Sequence, residues 1–274
     1  NDPVALERFK REFEVSKLLS HEHVVEVFDF QPTGEGSFGL AMEFLYGEEL
    51  RSALKREKTL PAARVVRMLS QLAIGLDAAH AKRLVHRDLK PENIFLCQTH
   101  YGDIVKILDF GSVKDKTENA MKLTVMGTTI GSPYYMSPEQ AQGLDTLDQR
   151  ADVWALAAIV YECVTGRVPF TGNNGPAILL DILTRTPTPA SQAGAEQKYP
   201  VPPTLDLALS RAFQKNPNQR TSGAGVLADG VGHAYGLTGN YRIWATRCQQ
   251  DLESEVQERL PTLLRAAPSA MSND

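Results

Sequence analysis

Apolar residues recur at the spacing of an α-helix in four stretches of the chain, 4–19, 61–80, 152–164 and 244–260. The stretch 61–80 is apolar along one face, and its polar face is expected to be exposed to solvent. The stretch 152–164 is apolar almost all round, which is typical of a helix buried at the centre of a domain. The last stretch predicts one final helix with an apolar row of Trp244, Cys248, Leu252, Val256 and Leu260.

Two pairs of short runs rich in β-branched and aromatic residues predict β-hairpins. The first pair, 24–30 and 38–44, is joined by the turn-rich segment QPTGEGSFG. The second pair is NIFLC and IVKILDF, separated by the turn 98–103. A polar stretch, 112–129, follows this second hairpin and predicts an irregular loop, and loops of that length are often functional.

Composition narrows the classes of function. The chain has 29 Lys and Arg against 33 Asp and Glu, and its net charge of -4 is too small to indicate a nucleic-acid or membrane binder. Three scattered cysteines indicate neither a disulfide framework nor a zinc site, and they favour a reducing, cytoplasmic compartment. The longest apolar run, 153–160, is far shorter than the roughly 20 residues of a membrane span. A membrane anchor elsewhere in a longer parent chain stays open.

The strongest chemical signal is HRDLKPEN at 86–93, followed by DFG at 109–111. Their order and spacing resemble the catalytic loop and the metal-binding motif of protein kinases. Phosphoryl transfer needs a carboxylate to orient the attacking hydroxyl, and cations to neutralise charge on the transferred group. Asp88 suits the first task. The resemblance implies that Lys90 contacts the transferred phosphate and that Asn93 and Asp109 hold Mg²⁺, so the catalytic residues are Asp88, Lys90 and Asn93.

The same resemblance implies a nucleotide site for ATP. Met42 is placed at the back of the adenine pocket, and the backbone of Glu43, Phe44 and Leu45 resembles the hinge that hydrogen-bonds adenine. Leu96 matches the position beneath the adenine ring, although a leucine in an apolar strand is more often a core residue. Lys90, Asn93 and Asp109 complete the predicted nucleotide contacts.

Three further motifs stand in the order of the kinase family. SPYYMSPE resembles the end of an activation segment, in which Glu139 forms a buried ion pair with a distant arginine, and Arg220 matches that arginine. DVWAL at Asp152 resembles the central helix whose aspartate steadies the catalytic loop, and TGRVPF follows it. The resemblance gives these residues structural roles rather than catalytic ones.

LKPEN, with Lys90, is similar to the version of the loop found in kinases that phosphorylate serine or threonine. Arg87 beside Asp88 resembles kinases switched on by a phosphate in the activation segment, where an added charge of about -1.5 to -2 would pair with the arginine. The candidate self-phosphorylation sites in this chain are Thr124, Thr128 and Thr129.

The beginning of the kinase pattern is missing from the chain. GEGSFG at 34–39 matches a glycine-rich phosphate loop, yet the hinge-like segment follows at once and no lysine-bearing strand lies between, so we expect only a turn. Glu12 aligns with the helix glutamate that pairs with that lysine, and a solvated charge is an equally good interpretation of it. The expected lysine would precede Asn1, which we interpret as a cut.

The resemblance therefore implies an α+β, two-lobed protein kinase-like fold with an incomplete small N-lobe and a complete, mainly helical C-lobe. The predicted domains are a partial N-lobe and hinge at 1–45, the C-lobe at 46–236, and a helical extension and tail at 237–274. The implied function is an ATP- and Mg²⁺-dependent serine/threonine kinase of the bacterial, eukaryotic-like type acting on protein substrates. A pseudokinase or interaction module is the alternative, and a kinase-fold enzyme acting on small molecules is a third possibility.

Overall fold

The computed structural model describes residues 10, 13–15, 17–34, 37–110, 133–144 and 146–265. The α-helices in these ranges are α1 (Leu50–Glu57), α2 (Ala62–Ala81), α3 (Pro138–Ala141), α4 (Arg150–Thr165), α5 (Gly175–Thr184), α6 (Ala190–Ala193), α7 (Thr204–Ala212), α8 (Ala224–Ala234), α9 (Tyr241–Thr246) and α10 (Gln249–Arg265). The strands are β1 (Val27–Gly34), β2 (Ser37–Met42), β3 (Gly47–Glu49), β4 (Ile94–Cys97) and β5 (Ile104–Ile107). Of the first predicted helix, the described residues are helical up to Leu18.

The first predicted hairpin is confirmed, with shifted ends. β1 and β2 pair antiparallel, and Gly34 at the end of β1 lies opposite Ser37 at the start of β2. Gly34 and Ser37 of GEGSFG therefore flank the turn of this hairpin, as predicted. The prediction that the first strand begins at Val24 was wrong, because the backbone there bonds to β5 instead: Val25 N donates to Ile107 O over 2.9 Å.

The second predicted hairpin, β4–β5, is also confirmed, and β3 joins it on the outer edge of β4. β3 has the sequence Gly-Glu-Glu, which carries no strand pattern, so the sequence did not predict it. Gly47 has φ 152°, and a Cβ at this position would lie 1.9 Å from Leu96 O. Only glycine permits the close approach of these two backbones.

Helix α4 is the centre of the helical part of the fold, as its sequence predicted. Every residue from Ala151 to Thr165 is buried. The Trp154 ring stacks on the Phe170 ring at 5.3 Å between centroids and meets the Phe213 ring edge-on at 5.2 Å. Aromatic contacts of this kind add to the free energy gained by burial alone.

Helix α2 confirms the second predicted helix and corrects the expectation for its polar face. Arg67, Ser70 and Gln71 on that face are buried rather than solvated. Ser70 Oγ donates within the helix to Val66 O over 2.7 Å. The turn that precedes β5 and the segment 245–249 accept hydrogen bonds from Arg67 and Gln71. These partners make burial of the polar groups possible.

The prediction of one final helix was wrong. α9 ends at Thr246 and α10 begins at Gln249, with Arg247 in an extended conformation at ψ 149°. Trp244 of α9 and Leu252 of α10 are fully buried and Val256 of α10 is 5% exposed, so the apolar row belongs to two helices. No helix in the described ranges combines the length and apolarity required to cross a bilayer.

Close packing of α8 against α9 gives a matched pair of glycine substitutions. A Cβ at Gly232 would lie 2.1 Å from the Trp244 ring, whereas a Cβ at Gly230 would meet only the Ala208 side chain at 3.4 Å. We expect Gly232→Ala to lower the free energy of unfolding by about 1–3 kcal/mol. Gly230→Ala is expected to raise it by about 0.4–1 kcal/mol. Urea unfolding of both variants measures the difference, and equal effects would contradict this packing.

His23 is expected to make stability depend on pH. Its ring is buried, with Nδ1 3.0 Å from Val105 O, and burial lowers its pKa below the ordinary value of 6.5. As pH falls through 6.5 the unfolded chain takes up a proton that the folded chain does not, so folding is destabilised. Between pH 7 and pH 5, wild type should therefore lose more unfolding free energy than His23→Asn. Parallel losses in the two proteins would contradict the expectation.

Candidate active site

Asp152 at the start of α4 holds the backbone of the loop that carries the HRD sequence. Its Oδ2 accepts a hydrogen bond from His86 N and its Oδ1 accepts one from Arg87 N, each over 2.9 Å. His80 Nε2 on α2 lies 2.8 Å from the same carboxylate, which is fully buried. Arg87 has φ 68°, a conformation that a non-glycine residue adopts only when its surroundings hold it there. The predicted structural role of Asp152 is confirmed.

The loop brings Asp88, Lys90 and Asn93 into one cluster. Lys90 Nζ lies 2.7 Å from Asp88 Oδ2, and Asn93 Nδ2 donates to Asp88 O over 2.7 Å. A second contact joins Asn93 Nδ2 to Asp88 Oδ2 at 3.4 Å. The Asp88 side chain is 36% exposed, so a hydroxyl group from solvent or from another molecule can reach its carboxylate.

Asp109 lies beside this cluster because the β4–β5 hairpin closes there. Ile94 and Ile107 are partners in the register, and Leu108 N donates to Asn93 O over 2.9 Å. His86 Nε2 lies 2.9 Å from Leu108 O, and the buried Phe110 ring packs 4.8 Å from the His86 ring. Asp109 itself has φ 54°, so its backbone is held in the left-handed region.

The oxygen atoms of Asn93 and Asp109 suit a hard cation such as Mg²⁺. The Asn93 amide nitrogen is used in bonds to Asp88, which leaves its Oδ1 to face a cation. Asp109 lies two residues after the end of β5, and its carboxylate supplies the oxygen ligands that Mg²⁺ prefers. Within the described residues there is no group of three or more His, Cys, Asp or Glu side chains that could hold a metal ion.

The predicted hinge lies just after β2. Met42 ends β2 opposite Val27 and is 45% exposed. Glu43 is anchored, since its N donates to Glu26 O over 2.9 Å and its Oε1 accepts from Lys106 Nζ over 2.6 Å. Hydrogen bonds from the backbone of Glu43, Phe44 and Leu45 to adenine stay a prediction.

Leu96 is placed differently from Met42. Its side chain is 1% exposed and belongs to the hydrophobic core. The interpretation as a core residue therefore accounts for its burial, and contact with an adenine ring stays a prediction.

The predicted pair of Glu139 and Arg220 is confirmed. Arg220 NH1 and NH2 donate to the two carboxylate oxygens of Glu139 over 2.6 and 2.8 Å, and the arginine side chain is fully buried. Arg220 also donates to the carbonyl of Arg150 over 2.8 Å, at the start of α4. Close by, Gln140 Nε2 donates to Arg87 O over 2.6 Å, which connects α3 to the HRD loop.

Sequence reasoning missed an arginine that joins four parts of this region. Arg51, near the start of α1, donates through Nε to Glu92 over 2.8 Å and through NH1 to Glu162 over 2.7 Å. Arg51 NH2 bonds to Tyr135 OH, which in turn donates to Glu162 over 2.5 Å. Burial and the Glu162 carboxylate raise the pKa of Tyr135 and keep it protonated. No local motif marks Arg51, because its partners are 41 to 111 residues away.

Arg87 has unused hydrogen-bonding capacity. Its Nε is buried and has no hydrogen-bond partner within the described part of the chain. Thr124, Thr128 and Thr129, the predicted phosphorylation sites, lie outside the described residues, as does Glu12.

Comparison with known proteins gives a consistent result. The family model described as "Protein kinase domain" matches residues 1–235. Serine/threonine-protein kinase pkn3 of Myxococcus xanthus is 37% identical over 227 residues, which are 82% of this chain and 41% of that protein. Serine/threonine-protein kinase PknH of Mycobacterium tuberculosis is 35% identical over 83% of this chain and 34% of its own length. The chain therefore spans about two fifths or less of these curated relatives.

A solved structure shows the same fold. The crystal structure of the Mycobacterium tuberculosis PknI kinase domain, in a mutant form, superposes with a TM-score of 0.62 at 26% sequence identity. The match covers 85% of this chain and 79% of the other. The predicted α+β kinase-like fold is thereby confirmed.

Proposed function

Because this chain belongs to the protein kinase family, we propose that it transfers the γ-phosphate of Mg-ATP to serine or threonine hydroxyls of protein substrates. The observation that supports this most strongly is the cluster of Asp88, Lys90 and Asn93 on a loop whose backbone is fixed by Asp152. Fixed polar groups of this kind stabilise developing charge without having to reorganise during the reaction.

Each side chain of the cluster has a task that fits its position. The Asp88 carboxylate orients the attacking hydroxyl and accepts its proton, a contribution of about 10²–10⁴-fold to the rate. Lys90, 2.7 Å from Asp88, can move its ammonium group to the transferred phosphate. Magnesium, when bound, neutralises charge on the phosphates of the nucleotide. Asn93 Oδ1 and the Asp109 carboxylate would hold it.

Serine and threonine are the proposed acceptors for two reasons. Lys90 follows Asp88 by two residues in the LKPEN sequence, the version of the loop associated with serine/threonine kinases. The relatives named above carry serine/threonine kinase in their names. The reaction is proposed to occur in the cytoplasm, where ATP is available and where the free thiols of Cys97, Cys163 and Cys248 stay reduced.

Regulation by phosphorylation is a further part of the proposal. A phosphate on Thr124, Thr128 or Thr129 would pair with the half-buried Arg87 guanidinium, which has unused hydrogen-bonding capacity. Phosphopeptide mapping after incubation with Mg-ATP should find at least one of these threonines modified. A map in which all three stay unmodified, while other substrates are phosphorylated, would remove this part.

The experiment that tests the acceptor class is phosphoamino-acid analysis. The longest natural chain that contains this sequence is incubated with γ-labelled ATP, Mg²⁺ and a generic protein substrate, and the labelled protein is hydrolysed. The label should appear in phosphoserine and phosphothreonine and should depend on Mg²⁺. Label in phosphotyrosine, or label transferred only to a small molecule, would contradict the proposal.

A further inference from the structure

Three polar side chains form a stripe along one face of α2. Arg64, Arg67 and Gln71 are spaced at i, i+3 and i+7, which places them above one another on a helix. Arg67 is 6% exposed and Gln71 is 1% exposed. The stripe lies between two segments that are far apart in sequence, the turn 101–105 and the segment 245–249.

Gln71 bonds to both segments through its side-chain amide. Its Oε1 accepts from Val105 N over 2.7 Å. Its Nε2 donates to Asp103 O over 3.1 Å and to Ala245 O over 3.2 Å. One buried amide therefore joins α2, the first residues of β5 and the end of α9.

Neighbouring contacts strengthen the same junction. Arg67 Nε donates to Arg247 O over 2.9 Å, and Arg67 NH1 bonds to Asp103 O. Arg64 Nε forms an ion pair with Asp103 Oδ2 at 2.6 Å. A direct backbone bond completes the junction, from Gln249 N at the start of α10 to Tyr101 O over 3.1 Å.

The turn held in this way belongs to the β4–β5 hairpin. Cys97 and Ile104 pair at the turn end, and Ile94 and Ile107 pair at the open end. Asn93 and Asp109, the two proposed metal ligands, flank that open end. Each strand has four residues, so the turn lies only about 13 Å from the ligands along the strand. A displacement of the turn therefore changes the separation and orientation of the ligands.

We propose that the C-terminal helical segment, 238–265, positions the metal-binding end of the hairpin, and that Gln71 is the positioning residue through which it acts. This segment lies beyond residues 1–235, the part matched by the kinase family model. The proposal rests on the proposed kinase function for its catalytic consequence. The junction itself is a feature of the fold and can be tested without activity.

The C-terminal segment also has an anchor that does not touch the hairpin. Tyr241 OH on α9 donates to Asp77 Oδ2 on α2 over 2.9 Å. Tyr241→Phe removes this bond and leaves the Gln71 contacts in place. It is therefore the matched control for Gln71→Met. Methionine keeps the side-chain length but removes the oxygen that accepts from Val105 N and the nitrogen that donates to Asp103 O and Ala245 O.

The test compares these two variants with wild type by two measurements. Hydrogen exchange followed by mass spectrometry reports opening of the strand segment 104–109. The Mg²⁺ concentration at half-maximal phosphate transfer reports ligand positioning. We expect Gln71→Met to accelerate exchange across 104–109 and to raise the half-maximal Mg²⁺ concentration about tenfold, the scale found for residues that orient metal ligands. Tyr241→Phe should leave both at the wild-type value.

A milder variant guards against a folding failure. Gln249 is the first residue of α10, a position at which proline is tolerated, so Gln249→Pro removes the N–H that bonds to Tyr101 O together with the glutamine side chain that packs near Gly102. It should shift exchange and Mg²⁺ dependence in the same direction as Gln71→Met, by a smaller factor. If Gln71→Met does not fold, this variant alone decides.

Two results would overturn the proposal. The first is a folded Gln71→Met or Gln249→Pro variant with a lower urea midpoint but with wild-type exchange across 104–109 and wild-type Mg²⁺ dependence, which would show a purely structural role. The second is equal behaviour of Gln71→Met and Tyr241→Phe. Absence of phosphate transfer by wild type would contradict the proposed function instead, and the exchange measurement would still decide whether the junction holds the hairpin.

Discussion

Asp88→Asn is expected to lower the rate of phosphate transfer by about 10²–10⁴-fold, because the amide cannot accept the proton of the attacking hydroxyl. Asparagine has nearly the same size as aspartate, and the bond that Asn93 makes to the carbonyl of residue 88 is preserved. The rate is measured with γ-labelled ATP at saturating Mg²⁺ and saturating protein substrate.

Two controls separate catalysis from binding and folding. Calorimetric affinity for Mg-ATP should change little, because Asp88 is not itself one of the predicted nucleotide contacts and the variant keeps the carbonyl that positions Asn93. The thermal midpoint should also stay close to wild type, because the side chain is 36% exposed. A variant that retains full transfer would exclude Asp88 as the catalytic base.

The second large effect is expected at the buried ion pair. Arg220→Met leaves the Glu139 carboxylate buried without its partner, and it should lower the free energy of unfolding by about 3–5 kcal/mol. The arginine side chain is fully buried and the glutamate side chain is 7% exposed, so solvent cannot replace the lost bonds. Urea unfolding at neutral pH measures the loss.

The matched control is an exposed ion pair. Arg185 lies 3.2 Å from Asp181 one turn earlier on α5, with its side chain 80% exposed. Arg185→Met should change the free energy of unfolding by only about 0–1 kcal/mol. Similar losses in Arg220→Met and Arg185→Met would show that burial does not decide the strength of the Glu139 pair.

The core of the candidate site could be predicted from sequence because its residues are close together in the chain. Asp88, Lys90 and Asn93 lie within one short loop, and the strands that follow return the chain directly to Asp109. The spacing of apolar residues also predicted α2 and α4, since each helix buries a face against the core. Hairpin closure and helix burial are local consequences of sequence.

The parts that sequence missed depend on distant partners. The polar face of α2 was expected to be solvated, and it is buried because the segment 245–249 covers it. β3 forms only because Gly47 permits the backbone of Leu96 to approach. Arg51 acquires its role from Glu92 and Glu162, which no local pattern connects.

Several predictions keep that status. The fold does not test the division into domains at 1–45, 46–236 and 237–274 or the incompleteness of the N-lobe. It also does not test the nucleotide contacts of Met42 and Leu96. The direct contacts between the segment 245–249 and α2 nevertheless show that the last part of the chain packs against the C-lobe.

The most direct test of the proposed kinase function is the fate of the γ-phosphate. Phosphorus NMR of the longest natural chain with Mg-ATP and a protein substrate follows ATP, ADP, free phosphate and phosphoester in one sample. We predict that ADP and protein phosphoester form in equal amounts, and that in Asp88→Asn both form about 10²–10⁴-fold more slowly while Mg-ATP still binds. ADP that forms with free phosphate alone, or Mg-ATP that binds to wild type without any turnover, would contradict the account.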